Sequence, residues 1–222
     1  MSNLSIDAAY RSSVHNECYI FVKERYVVVN YNPGGKKEKI IHGPKHISDG
    51  FPMLIGTEFE KGIDCAFDGD NNEAYIFSGK YGGKIDYVNL TLLKDKTPIK
   101  DMFPSLKDTK LVNGIDAGIR STGKDVFLFK GDEYVRIDYQ SELVKSNKYI
   151  RTGFQSLVGT VFEFGIDAAF ASHVQNEAYI FKGDYYARIN VAPGTASGDF
   201  IVGGRIKRIH DDWPALHSIL KN

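Results

Sequence analysis

The hydrophobic residues of this chain occur in short runs that are rich in aromatic and β-branched residues and are separated by polar segments. Four runs begin with an acidic residue and end on Phe, at residues 17–21, 73–77, 125–129 and 177–181. Each is followed by a second run that begins with Tyr, at residues 26–30, 81–86, 134–138 and 186–190. Paired runs of this kind, a few residues apart, predict β-hairpins.

Glycine supports this prediction in three of the four hairpins. Gly79, Gly131 and Gly183 each lie between the two runs of a pair, where a tight turn is needed. The first hairpin has Lys23-Glu24 at the same place. We therefore expect a turn of another type there.

An Ile-Asp motif precedes each hairpin and gives the chain a regular period. It contains Asp7, Asp64, Asp116 and Asp167, at intervals of 57, 52 and 51 residues. Small residues follow each Asp, and each unit closes on an aromatic-Pro or Gly-Phe corner. A period near 50 residues indicates a repeat architecture.

Each unit reads as four antiparallel strands: a short first strand, the hairpin and an outer strand. Units of about 55 residues are too small to form four independent cores, so they must share one. The sequence predicts one all-β domain, residues 1–222, which is a closed four-bladed β-propeller with a central tunnel. Its blades span approximately 1–56, 57–108, 109–159 and 160–222. The small residues after each Asp suit the narrow axis of a four-bladed ring.

Charge and hydropathy exclude several partners. Lys and Arg together number 28, as do Asp and Glu, so the formal net charge is zero. This balance argues against non-specific binding to nucleic acid or to an anionic membrane. No run approaches the ~18 apolar residues of a membrane span, and no signal peptide is visible.

Cys18 and Cys65 replace small apolar residues of the other repeats, so we expect buried free thiols and a cytosolic location.

The four units resemble hemopexin repeats. The shared features are Ile-Asp-Ala-Ala, Glu-x-Tyr-Ile-Phe, Gly-Asp-x-Tyr-x-Arg-Ile and a closing Phe-Pro or Trp-Pro. Over essentially its whole length the chain is similar to the hemopexin-fold seed albumins of legumes, the albumin-2 family. It departs from the animal hemopexins because no cysteine pair lies near its termini. Closure of the ring must then depend on packing and hydrogen bonds.

The four Asp are the candidate metal site. Repeat symmetry places them at one height around the axis, where their main-chain oxygens would form an oxygen-only ring suited to a hard cation. The resemblance implies Ca²⁺ or Na⁺ in the tunnel, bound by these oxygens. The residues two positions further on would supply a second carbonyl layer, where another ion or chloride would lie: Ala9, Ala66, Gly118 and Ala169. The alternative is that the Asp only hydrogen-bond neighbouring backbone and hold the blades in register.

The resemblance also implies binding of spermine and of haem. Spermine is a polycation, for which the sequence offers acidic candidates: Glu58, Glu60, Glu163, Asp211 and Asp212. Haem would need an axial ligand from among six histidines: His15, His42, His46, His173, His210 and His217. None of the six follows the repeat, so each is more simply explained as a surface or capping residue.

The sequence shows no metalloprotease, serine-hydrolase or phosphate-loop motif. The segment from Asp68 to Glu73 resembles the start of an EF-hand, but Glu73 occupies the position where that loop requires Gly. A plain inter-strand loop explains it better. We therefore expect a non-enzymatic seed storage albumin that forms a homodimer. The alternatives are a protein-interaction module that uses the propeller faces and, less favoured, a hydrolase or haem peroxidase.

Overall fold

The computed structural model describes residues 5–33, 38–191 and 198–220; both ends of the predicted domain and residues 34–37 and 192–197 lie outside this description. The strands are β1 Ala8–Arg11, β2 Glu17–Val22, β3 Arg25–Asn30, β4 Lys39–His46, β5 Cys65–Asp68, β6 Glu73–Ser78, β7 Tyr81–Asp86, β8 Thr91–Pro98, β9 Ala117–Arg120, β10 Asp125–Lys130, β11 Glu133–Asp138, β12 Val144–Tyr149, β13 Ala168–Ala171, β14 Glu177–Lys182, β15 Tyr185–Asn190, β16 Phe200–Ile201 and β17 Lys207–Arg208. The α-helices are α1 Ile47–Gly50, α2 Ile99–Met102, α3 Ile150–Gly153, α4 Ile209–Asp212 and α5 His217–Leu220. Short 3₁₀ helices span Pro52–Leu54, Glu58–Glu60, Pro104–Leu106, Lys110–Asn113, Gln155–Leu157, Val202–Gly204 and Pro214–Leu216.

The strands form four antiparallel sheets, one for each repeat, with orders β1-β2-β3-β4, β5-β6-β7-β8, β9-β10-β11-β12 and β13-β14-β15-β16. This confirms the predicted all-β fold of four four-stranded blades. Each sheet lies within one predicted blade range, although the boundaries themselves stay a prediction. The fourth blade differs because its outer strand is broken. Both β16 and β17 pair with β15, and the residues between them include Gly203 at φ 76°.

All four hairpins use the same turn conformation, so the expectation of a different turn in the first hairpin is wrong. The first turn residue is left-handed in every case, at φ 52° for Lys23, 53° for Gly79, 55° for Gly131 and 51° for Gly183. An L-residue with a side chain rarely adopts this conformation. Lys23 is held there because its backbone N–H donates to the Asp7 carboxylate at 2.5 Å, as the turn glycines donate to theirs.

The inner strands close the ring. Each of β1, β5, β9 and β13 lies against the inner strands of both neighbouring blades, including β1 against β13. The residues there are small, as the sequence predicted. At Gly118 a Cβ would lie 3.2 Å from the Cβ of Phe67 in the next blade, which shows how closely the strands approach.

The core lies between the blades in four clusters. Phe21, Phe77, Phe129 and Phe181 are fully buried in them, so large aromatic residues fill the space between neighbouring blades. In the cluster between blades 4 and 1, Trp213, Leu216 and Leu220 of the last repeat pack with residues of β2 and β3.

This packing closes the ring without a disulfide, as expected. Cys18 and Cys65 are both free and buried. None of the helices in the described ranges is long and apolar enough to cross a membrane.

Candidate functional site: the two ends of the central tunnel

The structure brings the four predicted aspartates together at one end of the tunnel. Asp7, Asp64, Asp116 and Asp167 line a depression of about 330 Å³, which we call the tunnel entrance. They lie there because each immediately precedes an inner strand, and the four inner strands surround the axis in the same direction. Repeat spacing therefore identified a real cluster.

The Asp carboxylates, however, are engaged within their own blades. Each Oδ2 accepts a hydrogen bond from the left-handed residue of the hairpin turn, at 2.6 Å from Gly79, 2.8 Å from Gly131 and 2.8 Å from Gly183. The alternative role weighed from sequence, hydrogen bonding to neighbouring backbone, therefore operates. It fixes the turn of the same blade. In the described part of the chain, no group of three or more His, Cys, Asp and Glu side chains is arranged to hold a metal.

The main-chain atoms of the same aspartates behave differently. Each N–H donates to the carbonyl of the buried Phe of its own second strand, for example Asp64 to Phe77 and Asp167 to Phe181, both at 2.8 Å. Among the described residues no hydrogen bond ends on the main-chain oxygen of any of the four. Four unengaged carbonyl oxygens suit a hard cation, so the donor set fits the prediction, which itself stays a prediction.

Lysine side chains partly neutralise the aspartates at the tunnel entrance. Lys130 pairs with Asp116 at 2.6 Å and Lys182 with Asp167 at 3.3 Å. The pKa of Asp7 is raised mainly by burial; the hydrogen bond from Lys23 and the charge of Lys23 lower it, and the negative charges of Asp64 and Asp167 raise it. A bound cation would reduce this repulsion.

The predicted second layer lies deeper, on the inner strands. Ala9, Ala66 and Ala169 are each 1% exposed. They pack in the clusters between blades, and their small size is required by that contact. Whether their carbonyls bind an ion or chloride stays a prediction.

The opposite end of the tunnel carries a charged cluster that sequence reasoning missed. Asp68 is buried at the end of β5, and Arg11 of blade 1 pairs with it at 2.7 Å, while Arg120 of blade 3 pairs with Asp70 at 2.8 Å. Burial raises the pKa of Asp68, although the two guanidinium groups oppose this. Arg11 and Arg120 occupy the same position in their repeats, at which the second repeat carries Asp68. These opposite charges at one repeat position were the sequence signal that could have predicted the cluster. The residues between Asp68 and Glu73 form a loop between the first two strands of the blade, as predicted. The pairing of Asp68 and Asp70 with the neighbouring blades was not predicted.

The acidic residues suggested for spermine do not gather at the entrance. None of Glu58, Glu60, Glu163, Asp211 and Asp212 is among the residues that line it. Glu60 and Glu163 each accept a hydrogen bond from a glycine N–H four residues earlier, at 2.8 Å. Glu58 pairs with Lys96, and Asp212 accepts from the Tyr186 hydroxyl at 2.7 Å. These side chains make local contacts, and whether any of them binds spermine stays a prediction.

The contacts of three candidate histidines, His173, His210 and His217, do not suit haem ligation. Nδ1 of His173 accepts from the Asn16 N–H at 3.2 Å and Nε2 lies 3.0 Å from the Ser12 carbonyl, so both ring nitrogens are engaged. The rings of His210 and His217 lie 4.4 Å apart, which leaves no space for a porphyrin between them. The residues present do not fit a haem held between two histidines.

A further cavity, of about 400 Å³, lies where the outer strand of blade 4 is broken. Its walls include Tyr186, Arg188, Arg205 and Trp213. The β15 residues Ala187 and Arg188 have no partner in β16 or β17, so the break leaves the edge of the blade open here.

Comparison with known proteins gives a consistent result. The family model described as Hemopexin matches residues 166–218. A curated relative, Albumin-2 of Pisum sativum, is 49% identical over 97% of this chain and 96% of its own length. A plant albumin of Cicer arietinum showing hemagglutination superposes with TM-score 0.93 at 47% identity, covering 97% of this chain and 98% of that one. A plant lectin with two metal binding sites, also of Cicer arietinum, superposes with TM-score 0.92 at 46% identity over 97% of this chain and 98% of its own.

Proposed function

The chain belongs to the albumin-2 family of legumes. On that premise we propose that it is a non-enzymatic seed albumin of the cytosol that serves as a nutrient reservoir. We also propose that it holds a structural cation in its tunnel and binds a polyamine. The observation that carries the proposal is the tunnel entrance. Each repeat contributes an Asp there whose N–H and carboxylate are hydrogen-bonded within its own blade, while no hydrogen bond among the described residues ends on its main-chain oxygen.

The cation would be Ca²⁺ or Na⁺, held by the main-chain oxygens of Asp7, Asp64, Asp116 and Asp167, with a further ion or chloride at the second layer. A metal-binding relative from Cicer arietinum lends support. Because the ring of oxygens comes from four blades, a bound cation would couple them, and its removal would loosen all four.

Metal removal tests this part. The protein is depleted with a chelator, its residual metal is measured, and its thermal midpoint is compared with that of protein to which Ca²⁺ or Na⁺ has been returned. We expect depletion to lower the midpoint and return of the right ion to restore it. A metal-free protein that melts at the original temperature would refute a structural cation.

The polyamine part is supported by chemistry rather than by a preformed acidic cluster. Spermine is the expected ligand because it pairs with carboxylates and stacks its ammonium groups on aromatic rings. Calorimetric titration with spermine, with molecular mass followed by light scattering, tests it. Saturable heat supports the proposal, and a concurrent change in mass places the site near a subunit interface. Absence of heat would remove polyamine binding from the function.

Haem binding has less support than polyamine binding, because both ring nitrogens of His173 are engaged and the His210 and His217 rings lie against each other.

Storage predicts a simple biological observation. The protein should accumulate during seed filling and decline in germination, without a change in any associated reaction rate. Persistence at a constant level through germination would contradict a reservoir role.

A protein-interaction role, including self-association, is favoured by one surface. The loop that leads into the fourth inner strand exposes Val158, Val161 and Phe164, with Phe164 67% exposed. The second and third repeats carry the polar residues Lys61 and Asn113 at the position of Phe164, and the first carries Leu4. Replacement of Phe164 by Asp should weaken a homodimer if this loop is part of the interface. An unchanged dissociation constant would exclude the loop.

A further inference from the structure

Three of the four blades carry a basic residue on the third strand, directly opposite an aromatic residue of the second strand. The cross-strand pairs are Lys84 with Tyr75, Arg136 with Phe127 and Arg188 with Tyr179. In blade 2 the Lys84 ammonium lies 5.4 Å from the centroid of the Tyr75 ring. In blade 3 the guanidinium carbon of Arg136 lies 5.5 Å from the Phe127 centroid. These distances place each cation over a ring face, where the quadrupole attracts it.

The same cation is paired with the acidic residue that opens the second strand. Lys84 Nζ lies 2.6 Å from the Glu73 carboxylate, and Arg188 Nε lies 3.3 Å from that of Glu177. Arg136 Nε donates to Asp125 at 2.9 Å. Blades 2, 3 and 4 therefore share a unit of one acid, one aromatic ring and one intramolecular cation.

Blade 1 has the acid and the ring but lacks the cation. Glu17 opens β2 and Tyr19 follows two residues later, on the same face of the strand. The residue opposite Tyr19 is Val28, which carries no charge. In the described parts of the chain the Glu17 side chain makes no ion pair or hydrogen bond, whereas the equivalent acids of the other three blades are paired.

A cavity lies where the missing cation would be. It has a volume of about 310 Å³ and is lined by Glu17, Tyr19 and Val28 together with the rings of Tyr26, Phe51 and Tyr87. Tyr19 and Tyr87 lie 5.2 Å apart between centroids, so more than one ring faces the space.

His42 is a basic residue that also lines the cavity. Its Nε2 lies 3.0 Å from Lys45 Nζ. Both side chains are exposed on the outer strand.

We propose that this cavity of blade 1 binds a small organic cation with an ammonium or guanidinium group, in the place that Lys84, Arg136 and Arg188 occupy in the other blades. The Glu17 carboxylate takes the charge, the tyrosine rings surround it and Val28 contacts the alkyl part. The inference comes from the comparison of the four repeats. It would stand even if spermine bound nowhere on the protein.

The test uses analogues of the template side chains, n-butylammonium for Lys and N-propylguanidinium for Arg. Binding is followed by NMR on protein with ¹³C-labelled tyrosine rings. A single monovalent group on a part-exposed site should bind in the millimolar range. We expect saturable shifts confined to the Tyr19, Tyr26 and Tyr87 rings, and about tenfold weaker binding in Glu17→Gln, in which the charged acceptor is lost.

Two further variants separate the site from general effects. Val28→Lys supplies the missing cation in the chain itself, so it should abolish binding and raise the thermal midpoint. Lys84→Val removes the cation from blade 2 and should create a second site, reported by the Tyr75 ring. Binding that survives unchanged in both Glu17→Gln and Val28→Lys, or tyrosine shifts absent from the wild-type protein, would overturn the proposal.

Spermine, titrated in parallel, separates this proposal from the proposed function. Spermine heat that is lost in Val28→Lys supports the blade 1 cavity as its site. If n-butylammonium shifts the three rings while spermine gives no heat, the cavity is supported and the polyamine function fails.

Discussion

The Tyr31 hydroxyl of blade 1 accepts a hydrogen bond from the His173 backbone N–H of blade 4 at 2.7 Å and lies 2.7 Å from Nδ1 of the same histidine. These residues are 142 positions apart, and they join the first and last blades. The chain has no terminal disulfide, so this contact and the packing around Trp213 hold the ring closed.

We expect Tyr31→Phe to lower the free energy of unfolding by about 1–2 kcal/mol, because it removes the partner of a part-buried backbone N–H. Denaturant unfolding would measure this. Tyr185→Phe is the matched control, since the Tyr185 ring contacts Arg208 but its hydroxyl makes no hydrogen bond within the described structure. An effect no larger than that of the control would show that the contact does not contribute to closure.

Stability should depend on pH through His173. Burial and, to a smaller extent, the charge of Arg11 lower the pKa of this histidine from its usual 6.5 to about 4. Between these values the unfolded chain binds a proton that the folded protein does not, so the free energy of unfolding falls as the pH is lowered from 6.5 to 4. The ring is only part-buried, so we expect a loss of about 1 kcal/mol from this group after solvent screening.

Unfolding at a series of pH values would test this, with His173→Gln and His46→Gln compared with the wild-type protein. His173→Gln should flatten the pH dependence in this window, and His46→Gln, at an exposed site, should not. Equal slopes in all three proteins would show that His173 is not the titrating group.

In blades 2 and 3, a large side chain and a glycine face each other between the third strand and the helix that follows the outer strand. In blade 3 the Tyr134 hydroxyl lies 2.0 Å from where a Cβ on Gly153 would be, and in blade 2 the partners are Gly82 and Met102. Gly153→Met should destabilise the protein by about 1–3 kcal/mol through overpacking, and Tyr134→Gly by about 3–5 kcal/mol through a cavity.

The double variant recreates the blade 2 pair in blade 3, so we expect its loss to be smaller than the sum of the single losses by at least about 1 kcal/mol. A double-mutant cycle by thermal unfolding measures this coupling. Strict additivity would mean that the two positions are complementary only by coincidence.

The two thiols should be protected in the folded state. Cys18 and Cys65 are each 0% exposed, and burial raises the pKa of both thiols. We expect a thiol reagent to label native protein slowly and unfolded protein completely. Ser141→Cys, at an exposed position, provides a control that should react at once. Rapid labelling of the native wild-type thiols would contradict this burial.

The sequence by itself determined the repeat, the four hairpins, the small residues at the axis and the position of Asp7, Asp64, Asp116 and Asp167 at one end of the tunnel. These follow from local patterns that recur at a fixed period, and each repeat predicts the next. The turn at Lys23 was the exception to these predictions. Lys23 adopts the left-handed conformation that glycine prefers, because its N–H donates a hydrogen bond to Asp7.

Only the tertiary structure decided what depends on distances between different strands or blades. In the folded protein the Asp carboxylates accept hydrogen bonds from the hairpin turns, the Tyr31 hydroxyl accepts from the His173 N–H, and Arg11 pairs with Asp68. It also showed that no cation among the described residues pairs with Glu17, whereas the equivalent acids of the other three blades are paired. Side-chain direction and the meeting of residues far apart in sequence depend on strand register and blade packing, and no single repeat contains that information.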